Sequence, residues 1–468
     1  MNITPFGGVN EIGGNKILVE HKGTRILLDF GMSFKQMSYY FSEFLQPRKA
    51  AALTDFFEFG LLPDIKGIYR EDYLRHMGRP KEKRSVDALF LSHAHADHAQ
   101  YIHFLRKDIP IYSTSPTKII LKALEETGSG SFSEFLTTSE AFAFYMTKKG
   151  TLTRVTKRNE VYLKQRPFHS LMPETKVRIG SLKVEVVPVD HSLPGACGFI
   201  IYSDKGNLVY TGDIRFHGSK GHLSKRFVEK ATEAKPRWLL CEGTRIDSKK
   251  KDSEEEVRKK IASLISLADG IVFVEHPIRD IDRVNTIFQA AKANRREFVV
   301  TLKLAYLIQA LGDQSPFLLE DVRILVPRKS WGLIYKDGVP KSQIEKDYQS
   351  WEREFIFKSN SLTAKELKRN PQKYVVSMNM WEINQLVDMQ PKKAIWIKSS
   401  CEPFSPEMEL DEERKRNWLR HFGIEEYHAH ASGHASGEEI REMIKRINPE
   451  EVIPIHTEHP EMFFNEES

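Results

Sequence analysis

The stretch Asp87-Ala88-Leu89-Phe90-Leu91-Ser92-His93-Ala94-His95-Ala96-Asp97-His98 decides how this chain is read. Residues 88–91 form an apolar run of the length of a buried strand. The run then breaks into His93, His95, Asp97 and His98. Imidazole nitrogen and carboxylate oxygen suit Zn²⁺ and its borderline neighbours. His93 and His95 are two apart, so an extended backbone points both the same way. Asp97 and His98 follow where the chain turns, and they face a second position. One loop thereby offers ligands to two adjacent cations. Such a set directly after a buried strand goes beyond what solubility requires.

The rest of the chain reads as a soluble globular protein. Its 468 residues exceed one ordinary core and predict two or three domains. Hydrophobic residues make up 40% and charged residues 29%, outside the ranges of disordered and membrane-embedded chains. The start, Met1-Asn2-Ile3-Thr4-Pro5-Phe6-Gly7-Gly8, lacks the basic-then-apolar design of a signal peptide. No apolar run approaches the ~20 residues that span a bilayer. Cys197, Cys241 and Cys401 make neither a disulfide framework nor a Cys-rich zinc site. The expected location is the cytoplasm, with no membrane partner. A formal charge of +6 weakly favours a polyanionic partner. Basic clusters recur at 79–84, Lys157-Arg158, Lys249-Lys250-Lys251 and Arg295-Arg296, and each alone reads as solvated surface.

Along the chain, residues 6–15 are glycine-rich and turn-prone, without the Lys-Ser/Thr ending of a P-loop. Residues 16–21 and 25–30 read as a hairpin around Lys22-Gly23-Thr24, and Asp29 closes the second strand. An acid there is placed to orient a metal-bound histidine. Residues 32–85 read as an aromatic insertion with short helices that packs near the site mouth, its aromatics core first and base-stacking surface second. Residues 99–107 and 117–126 are expected as helices, 109–112 as a strand, and 129–175 as helical and then irregular. Strands at 183–189, 207–210 and 238–241 end near His191, Asp213 and Glu242. From 247 the composition shifts to a separate α/β unit. Near 429 the strand-end histidines return, as His434 and then His456.

Collected, His93, His95, Asp97, His98, His191, Asp213 and His456 fit two cations sharing one carboxylate. The set lacks cysteine, which favours a hydrolytic site over a structural zinc site.

The pattern His-x-His-x-Asp-His resembles the signature of the metallo-β-lactamase superfamily, and the resemblance extends over nearly the whole chain. Residues 1–246 look like the first part of its domain, with Asp29, the His93 loop, His191 and Asp213 matching successive motifs. Residues 247–428 sit where the β-CASP domain is inserted in nucleic-acid-processing members, and 429–468 look like the return segment. Glu242, His434 and His456 match the extra motifs of that group. The phrases Gly7-Gly8-Val9-Asn10-Glu11-Ile12-Gly13, Asp190-His191-Ser192-Leu193-Pro194-Gly195-Ala196 and Ala431-Ser432-Gly433-His434 are similar to its ribonuclease J subgroup. Two departures stand out: the insertion at 32–85 is longer than usual, and the chain stops shortly after His456, where bacterial members carry a further domain.

The resemblance implies an α/β fold: an αββα sandwich with an inserted β-CASP domain and the substrate in the cleft between them. It implies that His93, His95, His191 and Asp213 hold one metal, and Asp97, His98, Asp213 and His456 the other. Two divalent ions are implied, zinc first, with manganese or magnesium as alternatives. Asp97, His434 and Glu242 take the catalytic positions, Glu242 holding the His434 imidazole. Ser432, Gly433 and His434 are placed to contact a 5′ phosphate, with Asp29 supporting a ligand. The implied activity is hydrolysis of single-stranded RNA, 5′→3′ with endonucleolytic capacity, in RNA processing or decay, with a homodimer as a possible assembly. The alternatives are a nuclease acting on DNA, a small-molecule metallo-hydrolase and a non-catalytic scaffold. The small-molecule enzyme has no need of the inserted domain or His434, and the scaffold has no need of a complete ligand set.

Overall fold

A computed structural model describes residues 1–464 apart from 43, 129, 131, 156–162, 250–252 and 404. The chain divides into two compact units. The first comprises Met1–Phe216, Lys220–Lys251 and Gly433–Ser468; the second comprises His217–Ser219 and Asp252–Ser432.

Two six-stranded sheets form the first unit. One runs in the order Asn2–Gly7, Lys16–His21, Thr24–Phe30, Ala88–Phe90, Ile111–Thr114, Phe168–Leu171. The other runs Lys176–Ile179, Leu182–Pro188, Cys197–Tyr202, Asn207–Tyr210, Pro236–Glu242, Glu451–Ile455. Alternate residues of each strand face the partner sheet, as the two-residue period of a strand requires. Ile17, Val19, Ile26, Leu28, Ala88 and Phe90 thereby meet Leu182, Val184, Val186, Phe199 and Leu240 in one core. Phe90 and Phe199 cross it edge to face, 5.5 Å apart. The outer face of the second sheet packs Val187, Ile200, Val209 and Leu239 against Phe227 and Ala231 of helix Gly221–Glu233, and Ile440 and Met443 of helix Gly437–Ile447. This is the helix–sheet–sheet–helix sandwich the sequence implied.

The 32–85 insertion forms helices Phe34–Tyr40, Thr54–Glu58 and Glu71–His76. Phe41, Phe56 and Tyr69 are buried, and Phe56 meets Phe104 at 4.6 Å, so much of the aromatic surplus is core. Tyr39, Tyr40 and Phe44 stay exposed. The amide of Met32 donates to Ala96 O at 3.0 Å, which seats the start of the insertion against the His93–His98 loop.

Two sequence expectations need correction. The helix expected at 99–107 is a four-residue helix, Ala96–Ala99, followed by a 3₁₀ turn, Gln100–Phe104. Residues 129–175 hold no helix among the described residues; short strands stand there instead, including the hairpin Phe144–Met146 with Leu152–Arg154. Aromatic and β-branched residues around the turn at 147–150 favour paired strands over a helix. The basic clusters at Arg79, Arg84 and Arg296 are bonded within the fold, to Asp64 and Glu82, to Asp108 O, and to Gly270 O. Lys157, Arg158, Lys250 and Lys251 lie outside the described residues.

The second unit is built on a seven-stranded sheet, ordered Ser361–Leu362, Arg323–Leu325, Glu297–Val300, Tyr374–Ser377, Val272–Glu275, Ile395–Lys398, Glu425–His428. Every pairing is parallel, and the inner strands Val272–Glu275 and Tyr374–Ser377 are short and largely apolar, as burial on both faces requires. Among the described residues no helix is long and apolar enough to cross a membrane.

Candidate metal centre

Strand direction gathers the site. Leu182–Pro188 is antiparallel to Cys197–Tyr202, which is antiparallel to Asn207–Tyr210. Asn207–Tyr210 is in turn parallel to Pro236–Glu242, and that strand to Glu451–Ile455. Four strands therefore run the same way, and their carboxyl ends bring His191, Asp213, Glu242 and His456 to one edge. In the other sheet, parallel Thr24–Phe30 and Ala88–Phe90 deliver Asp29 and His93. His95 precedes helix Ala96–Ala99, whose first turn carries Asp97 and His98. That turn lies so close to the chain that a Cβ on Gly31 would stand 1.7 Å from Asp97 O.

Two donor groups result, His93–His95–His191–Asp213 and Asp97–His98–His456. In the first, His95 Nδ1 lies 2.9 Å from His93 Nε2 and 3.1 Å from His191 Nε2. Asp213 Oδ2 lies 3.5 Å from His93 Nε2 and 3.6 Å from His191 Nε2. In the second, His456 Nε2 is 3.1 Å from Asp97 Oδ2, and His98 Nε2 is 3.9 Å from it. Asp213 Oδ1 stands 3.2 Å from His98 Nε2 and 3.7 Å from His456 Nε2. One oxygen of Asp213 thus faces each group. A tetrahedral zinc with ~2.0–2.1 Å bonds sets its ligand atoms ~3.3 Å apart, the spacing seen here. Both Asp213 oxygens and His98 Nε2 are buried without a hydrogen-bond partner. Buried polar atoms are rarely left so, and a pair of cations would satisfy them.

The remaining ring nitrogens are held from behind. His98 Nδ1 donates to Asp29 Oδ2 at 2.7 Å, and His191 Nδ1 donates to Gly433 O at 2.6 Å. Ser92 Oγ donates to Asp29 Oδ2 and accepts from His93 Nδ1 at 3.0 Å. Asp29 also accepts from the Ser92 amide and the Tyr210 hydroxyl. His456 Nδ1 donates to Thr244 Oγ1 at 2.8 Å. Each of these rings is therefore oriented to offer Nε2 to a cation at the centre. Asp29 and His456 adopt left-handed backbone, φ 55° and 51°, a strain that packing must hold. Thr244, Ser92 and the Gly433 carbonyl escaped the sequence reading. Thr244→Val is expected to weaken metal retention roughly 10–100-fold, measured by chelator competition; unchanged retention would remove Thr244 from this role.

Burial, then the His98 charge, holds His93 well below its ordinary pKa, and burial does the same to His191. Burial also opposes the charged forms of His98 and His456, but there the carboxylates win. Asp213 and Asp29 carry His98 well above its usual value, and Asp213 with Asp97 carries His456 up to about 9. Against burial, His98 and His456 hold Asp97 and Asp213 below the carboxylate range. Without cations the second group therefore keeps protons that metal binding must displace. Calorimetric metal titrations in buffers of different ionisation enthalpy are expected to report net proton release at pH 7. That release shrinks, and apparent affinity levels off, as pH rises through about 9. Heats independent of buffer at pH 7 would contradict this.

A third cluster, Asp213–Glu242–His434, adjoins the two groups. Glu242 is buried; Oε1 accepts from Ile214 N at 3.0 Å and Oε2 from Thr244 N at 3.0 Å. His434 Nδ1 lies 3.1 Å from Glu242 Oε1. Of the residues expected at a 5′ phosphate, Gly433 and His434 belong to this unit, and Ser432 closes the second unit, its carbonyl accepting from His217 Nε2 at 2.9 Å. Gly433 is tightly placed: a Cβ there would meet Ser192 Oγ at 3.0 Å and His191 Cε1 at 3.2 Å.

The sandwich and its ligand edge define a metallo-hydrolase fold, and comparison with known proteins agrees. The metallo-beta-lactamase superfamily profile matches residues 78–268, and that of the Zn-dependent metallo-hydrolase RNA specificity domain matches 424–463. The chain thus resembles the metallo-β-lactamase superfamily and, within it, proteins of the ribonuclease J kind. It is 23% identical over 470 residues to ribonuclease J of Mycoplasma genitalium, covering 97% of this chain and 68% of that protein. With ribonuclease J of Pyrococcus abyssi it is 24% identical over 475 residues, covering 98% and 90%. A crystal structure of a protein of unknown function from Enterococcus faecalis V583 shares the fold, with TM-score 0.70, 24% identity and coverage of 98% and 95%.

Proposed function

We propose that the protein is a metal-dependent ribonuclease that hydrolyses RNA phosphodiester bonds, working 5′→3′ on single strands with internal cuts as a secondary activity. His93, His95, His191 and Asp213 Oδ2 would hold one divalent cation. Asp97, His98, His456 and Asp213 Oδ1 would hold the other. Zinc is the expected metal, because imidazole and carboxylate donors stand at near-tetrahedral spacing, with manganese and magnesium as alternatives. Bound there, the cations supply Lewis-acid polarisation of the phosphodiester and water acidic enough to attack at neutral pH.

The chain's own residues supply the rest. Asp97, kept ionised beside His98 and His456, would accept a hydrogen bond from the attacking water and orient it. With Nδ1 committed to Glu242, His434 has Nε2 to hand a proton to the leaving 3′ oxygen. The Ile214 and Thr244 amides fix Glu242, so the histidine is anchored on the same strand ends as the ligands. The Gly433 carbonyl serves His191, and a 5′ phosphate would meet the backbone of this glycine. The observation that carries this reading is the Glu242–His434 pair beside Asp213, with His434 in a segment similar to an RNA specificity domain. A bare metallo-hydrolase needs only the two ligand groups.

The test is digestion of 5′- and 3′-labelled single-stranded RNA with monophosphate, triphosphate or hydroxyl 5′ ends, beside matched DNA and a thioester. The 5′ monophosphate is expected to be degraded fastest, with mononucleotides released from the 5′ end. First release from the 3′ end, or turnover of DNA or thioester alone, would overturn the reading.

A further inference from the structure

Two tryptophans of the second unit lie in solvent, Trp331 80% exposed and Trp381 79%. Indoles carry a large flat face suited to stacking, and these two offer theirs to solvent. Strands Arg323–Leu325, Glu297–Val300 and Tyr374–Ser377 are neighbours and parallel, so the segments after their carboxyl ends leave from one edge. Those segments carry Arg328, Lys329 and Trp331; Lys303; and Trp381. Contacts join them. Arg328 pairs at 2.7 Å with Asp388 of helix Leu386–Met389, which directly follows the 3₁₀ turn Met380–Gln385 bearing Trp381. Burial raises the carboxyl of Glu382, next to Trp381, against the pull of the Lys303 and Lys329 ammoniums nearby. Val387, 48% exposed, adds apolar surface on the same helix.

Basic side chains stand on the same and neighbouring segments. Lys303, Lys336 and Lys365 are exposed, and Lys365 Nζ stands 5.0 Å over the Tyr335 ring. The carboxyl edge of an open parallel sheet, where strand order reverses, is where such folds take ligands. Here the chain runs outward through 297–300, 323–325 and 361–362, returns to 374–377, then continues on the other side at 395–398 and 425–428. Trp381 follows the strand at that reversal. Flat indoles among lysines match a single strand, whose bases stack while its phosphates meet the ammoniums. A second copy fits less well, because a two-fold contact would set these basic side chains against their own copies.

We propose that Trp331 and Trp381 form a stacking platform on the second unit that holds single-stranded RNA by its bases. The proposal rests on the ribonuclease reading and adds a binding surface that contains no metal ligand. The test is binding of a fluorescein-labelled 24-nucleotide oligouridylate to the full chain in chelator, alongside sedimentation of the free protein. The variants are W331A/W381A and the conservative W331F/W381F. The alanine pair is expected to weaken binding about tenfold or more, the phenylalanine pair by about threefold or less, since base–aromatic stacking carries the affinity. An alanine pair that binds within twofold of wild type, folded by circular dichroism, overturns the platform while leaving the ribonuclease reading intact. So does a wild-type dimer that the alanine pair dissociates with RNA binding unchanged. Wild-type protein that neither binds nor degrades single-stranded RNA overturns both.

Discussion

Asp213→Ala is expected to lower RNA turnover by about 10⁴-fold or more and to reduce bound metal at both positions. The size follows from geometry. Oδ2 stands 3.5 and 3.6 Å from His93 and His191, and Oδ1 stands 3.2 and 3.7 Å from His98 and His456. On the proposed reading, one truncation therefore removes a donor from each group. It also leaves His98 and His456 without a principal source of the field that keeps them protonated. Asp213→Asn keeps the shape but removes the charge, so it is expected to retain part of the metal and little activity. Metal content by mass spectrometry and single-turnover kinetics read both effects. Normal turnover with metal fully retained in Asp213→Ala would remove the two-metal account.

The second large effect is expected at His434. His434→Ala should leave both metals bound and slow the chemical step by ~10²–10⁴, the usual worth of a positioned acid or base. Loss of metal on this substitution would instead make the residue a ligand. Glu242→Gln should give a smaller loss, because it disturbs how His434 is held while the amides of Ile214 and Thr244 keep part of their anchorage. The double variant should be little slower than His434→Ala alone, since two residues acting as one unit do not add. Fully additive losses would mean that Glu242 acts elsewhere, for example through Thr244 on His456, the route its second oxygen offers.

The candidate donor set was legible because its residues stand at strand ends, where an apolar run stops and a chemically distinctive side chain follows. Residues 87–98 carry the apolar strand and its polar donors in one phrase, and His191, Asp213 and His456 repeat the arrangement singly. What holds those donors left no such trace. Thr244 meets His456 across 212 residues of chain, and a threonine after a strand looks like any turn residue. Gly433 orients His191 through a backbone carbonyl, which no residue type announces. The short helix at Ala96–Ala99 also misled, because the apolar residues after it continue as a tight 3₁₀ turn packed on Phe56. In the insertion, local pattern could not separate the buried Phe41, Phe56 and Tyr69 from the exposed Tyr39, Tyr40 and Phe44. Burial there depends on which elements pack from elsewhere in the chain.

The central claim is that two cations, joined through Asp213, run RNA hydrolysis in this protein. Its most direct test is stepwise addition of zinc, or in parallel manganese, to chelator-stripped protein, following bound metal and cleavage of 5′-monophosphorylated single-stranded RNA together. The account predicts no cleavage in the stripped protein and activity that saturates as the second equivalent binds. Full cleavage by the stripped protein, or saturation at one equivalent with the other group empty, would contradict it.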